Sequence, residues 1–154
     1  MLHEIKYMLN KQLAALIEGE TNNIANLSNA SALLYEHFSD INWAGFYLWD
    51  PKDSELVLGP FQGKVACIRI QEGEGVCGTA LKQQQSLIVE DVHLFPGHIA
   101  CDAASQSEIV VPIIKDGTKV GVLDIDAPIK NRFTEQDRLV LEEFVSVLIK
   151  YLHD

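Results

Sequence analysis

Near residue 43 the apolar pattern of the chain changes period, and that change limits the folds open to it. Before it, apolar residues recur at helical spacing. Ile5, Met8, Leu9, Leu13, Leu16 and Ile17 form one stripe over residues 4–17. Gly19 breaks it, Thr21 or Asn22 can cap a second helix, and Ile24, Leu27, Leu34 and Phe38 repeat along that helix. After it, the run WAGFYLW over 43–49 alternates as a strand does, with Trp43, Tyr47 and Trp49 on one face and Phe46 and Leu48 on the other. Pro51, Asp53 and Ser54 turn the chain back into a strand over 55–58, closing a hairpin. Further strands are predicted at 65–70, 87–89, 108–114 and 120–125, with Asp116-Gly117 as a two-residue type I′ turn between the last two. Pro112 makes its strand an edge or requires a bulge there. Between the strands, glycines at 73, 75 and 78 bracket a brief helix over 76–82. Thr134 caps a final helix whose first turn carries Glu135 and Asp137, and whose buried face carries Leu141, Phe144, Val145, Leu148 and Leu152. Hairpin connections argue against a doubly wound parallel sheet. The reading is α+β: one domain over 1–154, a central, mainly antiparallel sheet of about six strands, and terminal helices packed on one face.

The bulk numbers exclude several function classes. With 154 residues and 47% apolar content, the chain can bury a core without a disulfide or a structural metal. Its net charge of −10, from 22 acids against 12 bases, leaves no basic footprint for a nucleic-acid backbone or an anionic membrane surface. The first twenty residues lack the pattern of a secretory signal, and no apolar run reaches the length of a membrane span. The expectation is a cytoplasmic protein, in whose compartment free thiols persist.

Three cysteines, Cys67, Cys77 and Cys101, lie close together in sequence, and the rest of the chain has none. An odd count leaves at least one outside any intramolecular bond. Redox chemistry, metal binding and simple burial are all open to them. Cys67, Cys77, His93, His98 and Cys101 have the side chains of a zinc site, but no CxxC or HExxH pair anchors two ligands on one turn. Gly73-Glu74-Gly75-Val76-Cys77-Gly78 matches a dinucleotide fingerprint without the βαβ unit that fingerprint needs, so its glycines are assigned to a tight turn. Cys101 is the best nucleophile by context, because it sits in the polar, irregular stretch 90–107, a length of loop that is commonly functional. Cys67 falls in a predicted strand, and Cys77 in the first turn of the short helix, where the helix N-terminus would make it more acidic. Asp124 and Asp126 alternate with Leu123 and Ile125, which puts both carboxylates on one strand face, and the hairpin can bring Glu108 beside them. Three acids together suit an ammonium group, and their crowding raises one carboxyl pKa toward that of a proton donor.

Four segments, LVLGPFQGKVACIRI, GEGVCGTA, DVHLFPGHIACDAASQSEIVVPI and GVLDIDAP, resemble the free methionine-R-sulfoxide reductases of the GAF-domain superfamily. The resemblance runs from about Trp43 to Phe133, and the flanking helices agree with it. It implies a GAF-like fold, a homodimer, and reduction of free L-methionine-(R)-S-oxide with no bound cofactor or metal, thioredoxin being the reductant. By motif it makes Cys101 the nucleophile, Cys67 the cysteine that resolves it through a Cys67–Cys101 disulfide, and Cys77 a third cysteine able to exchange. It places Glu108, Asp124 and Asp126 in the substrate pocket, with Trp43 and Tyr47 at its wall. A GAF sensor without catalysis is the rival reading; no second domain or signalling helix accompanies it in this chain.

Overall fold

A computed structural model describes residues 2–99 and 101–153; the side chains of residues 2–7 fall outside the described set, and with them Ile5 of the first apolar stripe. The two N-terminal helices form as α1 (Leu2–Ile17) and α2 (Asn23–His37). Asn22 is the cap of α2, its side-chain oxygen accepting from the Ala25 N–H at 3.0 Å. Leu9, Leu13 and Ile17 of α1, and Leu27 and Leu34 of α2, are buried. Met8, Leu16 and Ile24 are not: they sit beside the buried stripes and face outward. A stripe read from three-and-four spacing alone is wider than the face the sheet covers.

The strands are β1 (Trp43–Asp50), β2 (Glu55–Gly63), β3 (Arg69–Gln71), β4 (Leu87–Val89), β5 (Ser107–Lys115) and β6 (Thr118–Ala127), with α3 (Gly75–Gln83) between β3 and β4, and α4 (Glu135–Lys150) last. They form one six-stranded sheet in the order β3-β2-β1-β6-β5-β4, every neighbouring pair antiparallel. The helices α1, α2 and α4 pack on the face that carries Ala44, Phe46, Ile109, Val111, Leu123 and Ile125. The opposite face carries Trp43, Tyr47, Val110 and Val122 and is covered by α3 through Val76, Cys77 and Leu81. Thr134 and Asp137 form a reciprocal cap on α4: the Asp137 N–H donates to Thr134 Oγ1 at 3.2 Å and the Thr134 N–H to Asp137 Oδ2 at 2.9 Å. No helix among the described residues is long and apolar enough to cross a membrane.

Two strands differ from expectation. β2 continues past Gly59-Pro60 to Gly63, because the ladder to β1 is bulged there: Gly45 faces Phe61 while Tyr47 faces Leu58. A bulge is where a strand accommodates proline. The predicted strand over 65–70 shrinks to Arg69–Gln71, and Cys67 lies outside it. Side chains replace the ladder in that stretch, with Trp43 Nε1 donating to the Lys64 carbonyl at 3.2 Å and the Tyr47 hydroxyl to the Cys67 carbonyl at 3.0 Å.

The β5–β6 hairpin turns on Asp116 and Gly117, both at positive φ (52° and 79°), as a type I′ turn requires. Pro112 lies past the end of the β4 pairing, on a stretch of β5 with one open side, and one residue before a bulge. In that bulge Ile114 faces Lys119 but Ile113 faces Gly121, so Val120 is an extra residue in β6. Paired without the bulge, the same residues would set Glu108 opposite Ile125 across the two-residue turn. With it, Glu108 faces Asp126.

Candidate active site

The shifted register assembles the site. Asp126 lies between Glu108 on β5 and Trp43 on β1, and Asp124 lies between Val110 and Gly45. These residues share the face turned away from the helix layer. Glu108 and Asp124 are buried, 6% and 5% exposed. From above, α3 lowers Cys77 onto them, its sulfur 3.9 Å from Glu108 Oε2. One buried oxygen of Asp124 has no hydrogen-bond partner.

Burying three carboxyl groups together has one electrostatic outcome. Burial pushes Glu108 well above the usual carboxylate range, and the charges of Asp124 and Asp126 push it further. Asp126 is likewise raised, by burial and then by Asp124. Asp124 is also raised by burial, but Glu108 and Cys77 present protons to it and hold it down. The cluster therefore shares protons, and Asp124 is the member best placed to keep a charge. Cys77 departs from expectation: burial and then the neighbouring acids Asp124 and Glu108 push its thiol well above the ordinary value, overriding any help from the helix N-terminus. Tyr47 is raised as well, by burial and then by Asp124, so its hydroxyl stays a donor.

Cys67 and Cys101 form a disulfide, with Cα atoms 5.3 Å apart, and Cys77 is free and buried. A cavity of about 40 Å³ opens beneath the bond, lined by Cys101, Glu108, Asp124, Asp126, Trp43 and Tyr47 among others; Cys67 is not part of its wall. Trp43 stacks between Tyr47 and Phe61, with ring centroids 5.9 Å and 5.1 Å away. The eight residues singled out in the sequence as site candidates thus meet at one place: seven around the cavity, Cys77 included, and Cys67 bonded to it from outside. The zinc set does not converge in this state. Cys67 and Cys101 are bonded to each other, and His93 is exposed and pairs with Asp91 at 2.9 Å. His98 reaches the cavity rim, its pKa lowered by burial and then by His93. Gly73 and Gly75 have positive φ, and the Gly73 N–H donates to the Gly78 carbonyl, the tight turn assigned to them.

Asn42 was not legible as part of the site. Its Nδ2 donates to Asp102 Oδ2 at 3.0 Å and to Ser105 Oγ at 3.1 Å, and its backbone N–H donates to the Asp126 carbonyl at 2.9 Å. It ties the loop that carries Cys101 to the start of the aromatic strand. Its partners are 60 and 63 residues away in sequence, and an asparagine before a strand gives no sign of them.

Known proteins with this arrangement were found by sequence and by structure. A family model described as "GAF domain" matches residues 25–148. The free methionine-R-sulfoxide reductase of Escherichia coli (strain K12) is 56% identical over 144 residues, covering 94% of this chain and 86% of that protein. The structure of fRMsr of Staphylococcus aureus in its reduced form superposes with a TM-score of 0.91 at 55% identity, covering 96% of this chain and 95% of that one. The free methionine-R-sulfoxide reductase from Neisseria meningitidis, in complex with its substrate, superposes with a TM-score of 0.92 at 44% identity, covering 95% and 87%. With the acid cluster, the aromatic wall and the three cysteines in place, the chain belongs to the GAF-domain family of free methionine-R-sulfoxide reductases.

Proposed function

We propose that this protein reduces free L-methionine-(R)-S-oxide to L-methionine at the expense of its own thiols. The observation that carries the reading is the Cys101 sulfur, bonded to Cys67 while lining a cavity floored by Glu108, Asp124 and Asp126. In the reduced protein the Cys101 thiolate attacks the sulfoxide sulfur. Oxide is a poor leaving group, so a proton must reach the oxygen as the S–O bond breaks. Glu108 is the donor we assign, since burial and the charges of Asp124 and Asp126 raise its pKa well above the usual carboxylate range. Methionine departs and Cys101 is left as a sulfenic acid. The Cys67 thiol then condenses with it, releasing water and forming the disulfide. Asp124 and Asp126 take the substrate's α-ammonium, and the unpartnered Asp124 oxygen is free for that bond. Trp43 and Tyr47 form the wall against the side chain, and backbone N–H groups of the 90–107 loop or of the glycine turn receive the α-carboxylate. Cys77 can take part in exchange, but its burial and raised pKa leave it a minor role beside Cys67.

A disulfide made at each turnover must be reduced at each turnover. We assign that step to thioredoxin, itself kept reduced at the expense of NADPH, and place the enzyme in the cytoplasm, where such a dithiol pool is maintained. We also take the functional unit to be a homodimer, for which the exposed apolar side chains Met8, Leu16 and Ile24 on the helix layer are suited.

The test is methionine formation from the separated R and S epimers with thioredoxin, thioredoxin reductase and NADPH. Turnover is expected with the free R epimer and not with the S epimer or with the sulfoxide inside a peptide. A folded, reduced protein that forms the disulfide with peroxide but makes no methionine would instead be a redox sensor.

Asn42→Ala is expected to lower kcat about tenfold while changing KM by no more than about twofold, because it frees the Cys101 loop at Asp102 and Ser105 while Asn42 itself is not among the residues lining the cavity. Stopped-flow measurement of single-turnover methionine release checks this. A loss confined to KM would mean that Asn42 shapes the binding site instead.

A further inference from the structure

The two sulfurs of the disulfide face different spaces. Cys101 lines the cavity, whereas Cys67 does not, although both residues are half-buried. Cys67 sits in the extended segment that precedes β3, and apolar side chains flank it in the open: Val65 is 88% and Ile68 67% exposed. Arg69 pairs with Asp50, Asp53 and Glu55, and exposed Lys64 lies at the other end beside Val65. The outer approach to the bond is therefore an apolar ridge centred on Cys67, with a basic residue at its Val65 end.

Thiol–disulfide exchange needs an attacking thiolate in line with the S–S bond, on the side opposite the sulfur that leaves. A protein cannot enter a cavity of about 40 Å³ to reach the Cys101 sulfur from within. The chain's own third thiol is a poor substitute, because Cys77 is buried against the acids and its pKa is raised. Taking the dithiol-dependent turnover proposed above as its basis, we propose that a protein dithiol docks on the Val65–Ile68 ridge and attacks the Cys67 sulfur, with Cys101 as the leaving group. The partner's first thiolate forms a bond to the Cys67 sulfur as the Cys67–Cys101 bond breaks, and the electron pair leaves on Cys101 as a thiolate. The partner's second thiol, as its thiolate, then attacks its own first sulfur and releases Cys67, so the partner ends as a disulfide and the enzyme as a dithiol. The order is economical, because the first step already restores the nucleophile inside the cavity.

The experiment starts from the disulfide form of the full chain and needs no sulfoxide. Thioredoxin with its second active-site cysteine replaced by serine is mixed with the oxidised protein, quenched by alkylation and mapped by mass spectrometry. The adduct is expected on Cys67, in at least about tenfold excess over Cys101. A major or equal adduct on Cys101, or none on either, overturns the proposal. Ile68→Glu supplies the second readout, since Ile68 is outside the cavity wall. Its reduction by intact thioredoxin should slow at least about tenfold, while its reduction by dithiothreitol and the single-turnover methionine yield of the pre-reduced variant stay within about twofold of the parent. Thioredoxin and dithiothreitol rates falling together, or neither falling, would dismiss the ridge as a docking surface. Failure of the parent function shows differently: the pre-reduced unsubstituted protein would release no methionine, whatever the trapping result.

Discussion

Cys101→Ser is expected to lower methionine formation by at least about 10³-fold and to leave binding of the sulfoxide within about threefold. The serine hydroxyl is nearly isosteric with the thiol but holds its proton far above neutral pH, and no sulfenic acid can form on it. The groups assigned to binding are untouched, because the acids lie on β5 and β6 and the aromatic wall on β1. Trp43 lines the cavity, so quenching of tryptophan fluorescence on titration with substrate reads binding separately from turnover. Steady turnover by the variant would move the nucleophile to Cys67 or Cys77 and remove the central assignment.

Glu108→Gln should lower kcat by about 10²- to 10⁴-fold, the usual range for loss of a general acid, while raising the melting temperature. The opposite signs have one cause. Glu108 holds its proton to higher pH in the fold than in the unfolded chain, because burial and then the charges of Asp124 and Asp126 raise its pKa. The folded state thus binds more protons than the unfolded state between the unfolded pKa, about 4, and the raised folded one. Stability from this group is fully present below that window and is lost as pH rises through it. Glutamine keeps the shape and removes the loss, so the variant's thermal advantage should be largest near pH 8 and vanish near pH 4. A variant less stable than the parent at pH 8 would mean that Glu108 is not held protonated. Asp124→Asn gives the matching kinetic signature. It removes a charge that raises Glu108, so the proton donor is lost at lower pH and the alkaline limb of the rate profile moves down the pH axis.

What the sequence disclosed follows from which interactions are local. The cap at Thr134 and the turn at Asp116-Gly117 are written in adjacent residues, and both form as read. Alternation along 43–49 placed Trp43 and Tyr47 on one face of their strand, and alternation along 123–126 placed Asp124 and Asp126 on one face of theirs; the β1–β6 pairing makes the two faces one. The errors fall where distant groups decide. Residues 65–67 have the side chains of a strand, but the Tyr47 hydroxyl takes the Cys67 carbonyl and the Trp43 indole that of Lys64, from twenty and twenty-one residues away. Cys77 looks activated in its own helix turn, yet burial first, and then three carboxyl groups from two strands, raise its pKa. Asn42 acts through partners it meets only in the folded chain. The disulfide partners and the residue roles were accessible through family resemblance alone; nothing in the spacing of the cysteines selects Cys67 over Cys77.

Val120 makes the chemistry of this hairpin a question of parity. Strand side chains alternate, so a shift of one residue in the pairing of β5 with β6 moves a carboxyl group from one side of the sheet to the other. With Val120 drawn into a regular ladder, the chain would retain every residue named in the site. Glu108 would nevertheless be set against Ile125, on the side where α1, α2 and α4 form an apolar layer. At this distance from the reacting sulfur, substitutions should drift freely among residues that fit the strand, whereas the pairing of Glu108 with Asp126 should stay fixed. The family's motifs are thus necessary for the active site, and the register in which their strands pair decides whether they meet.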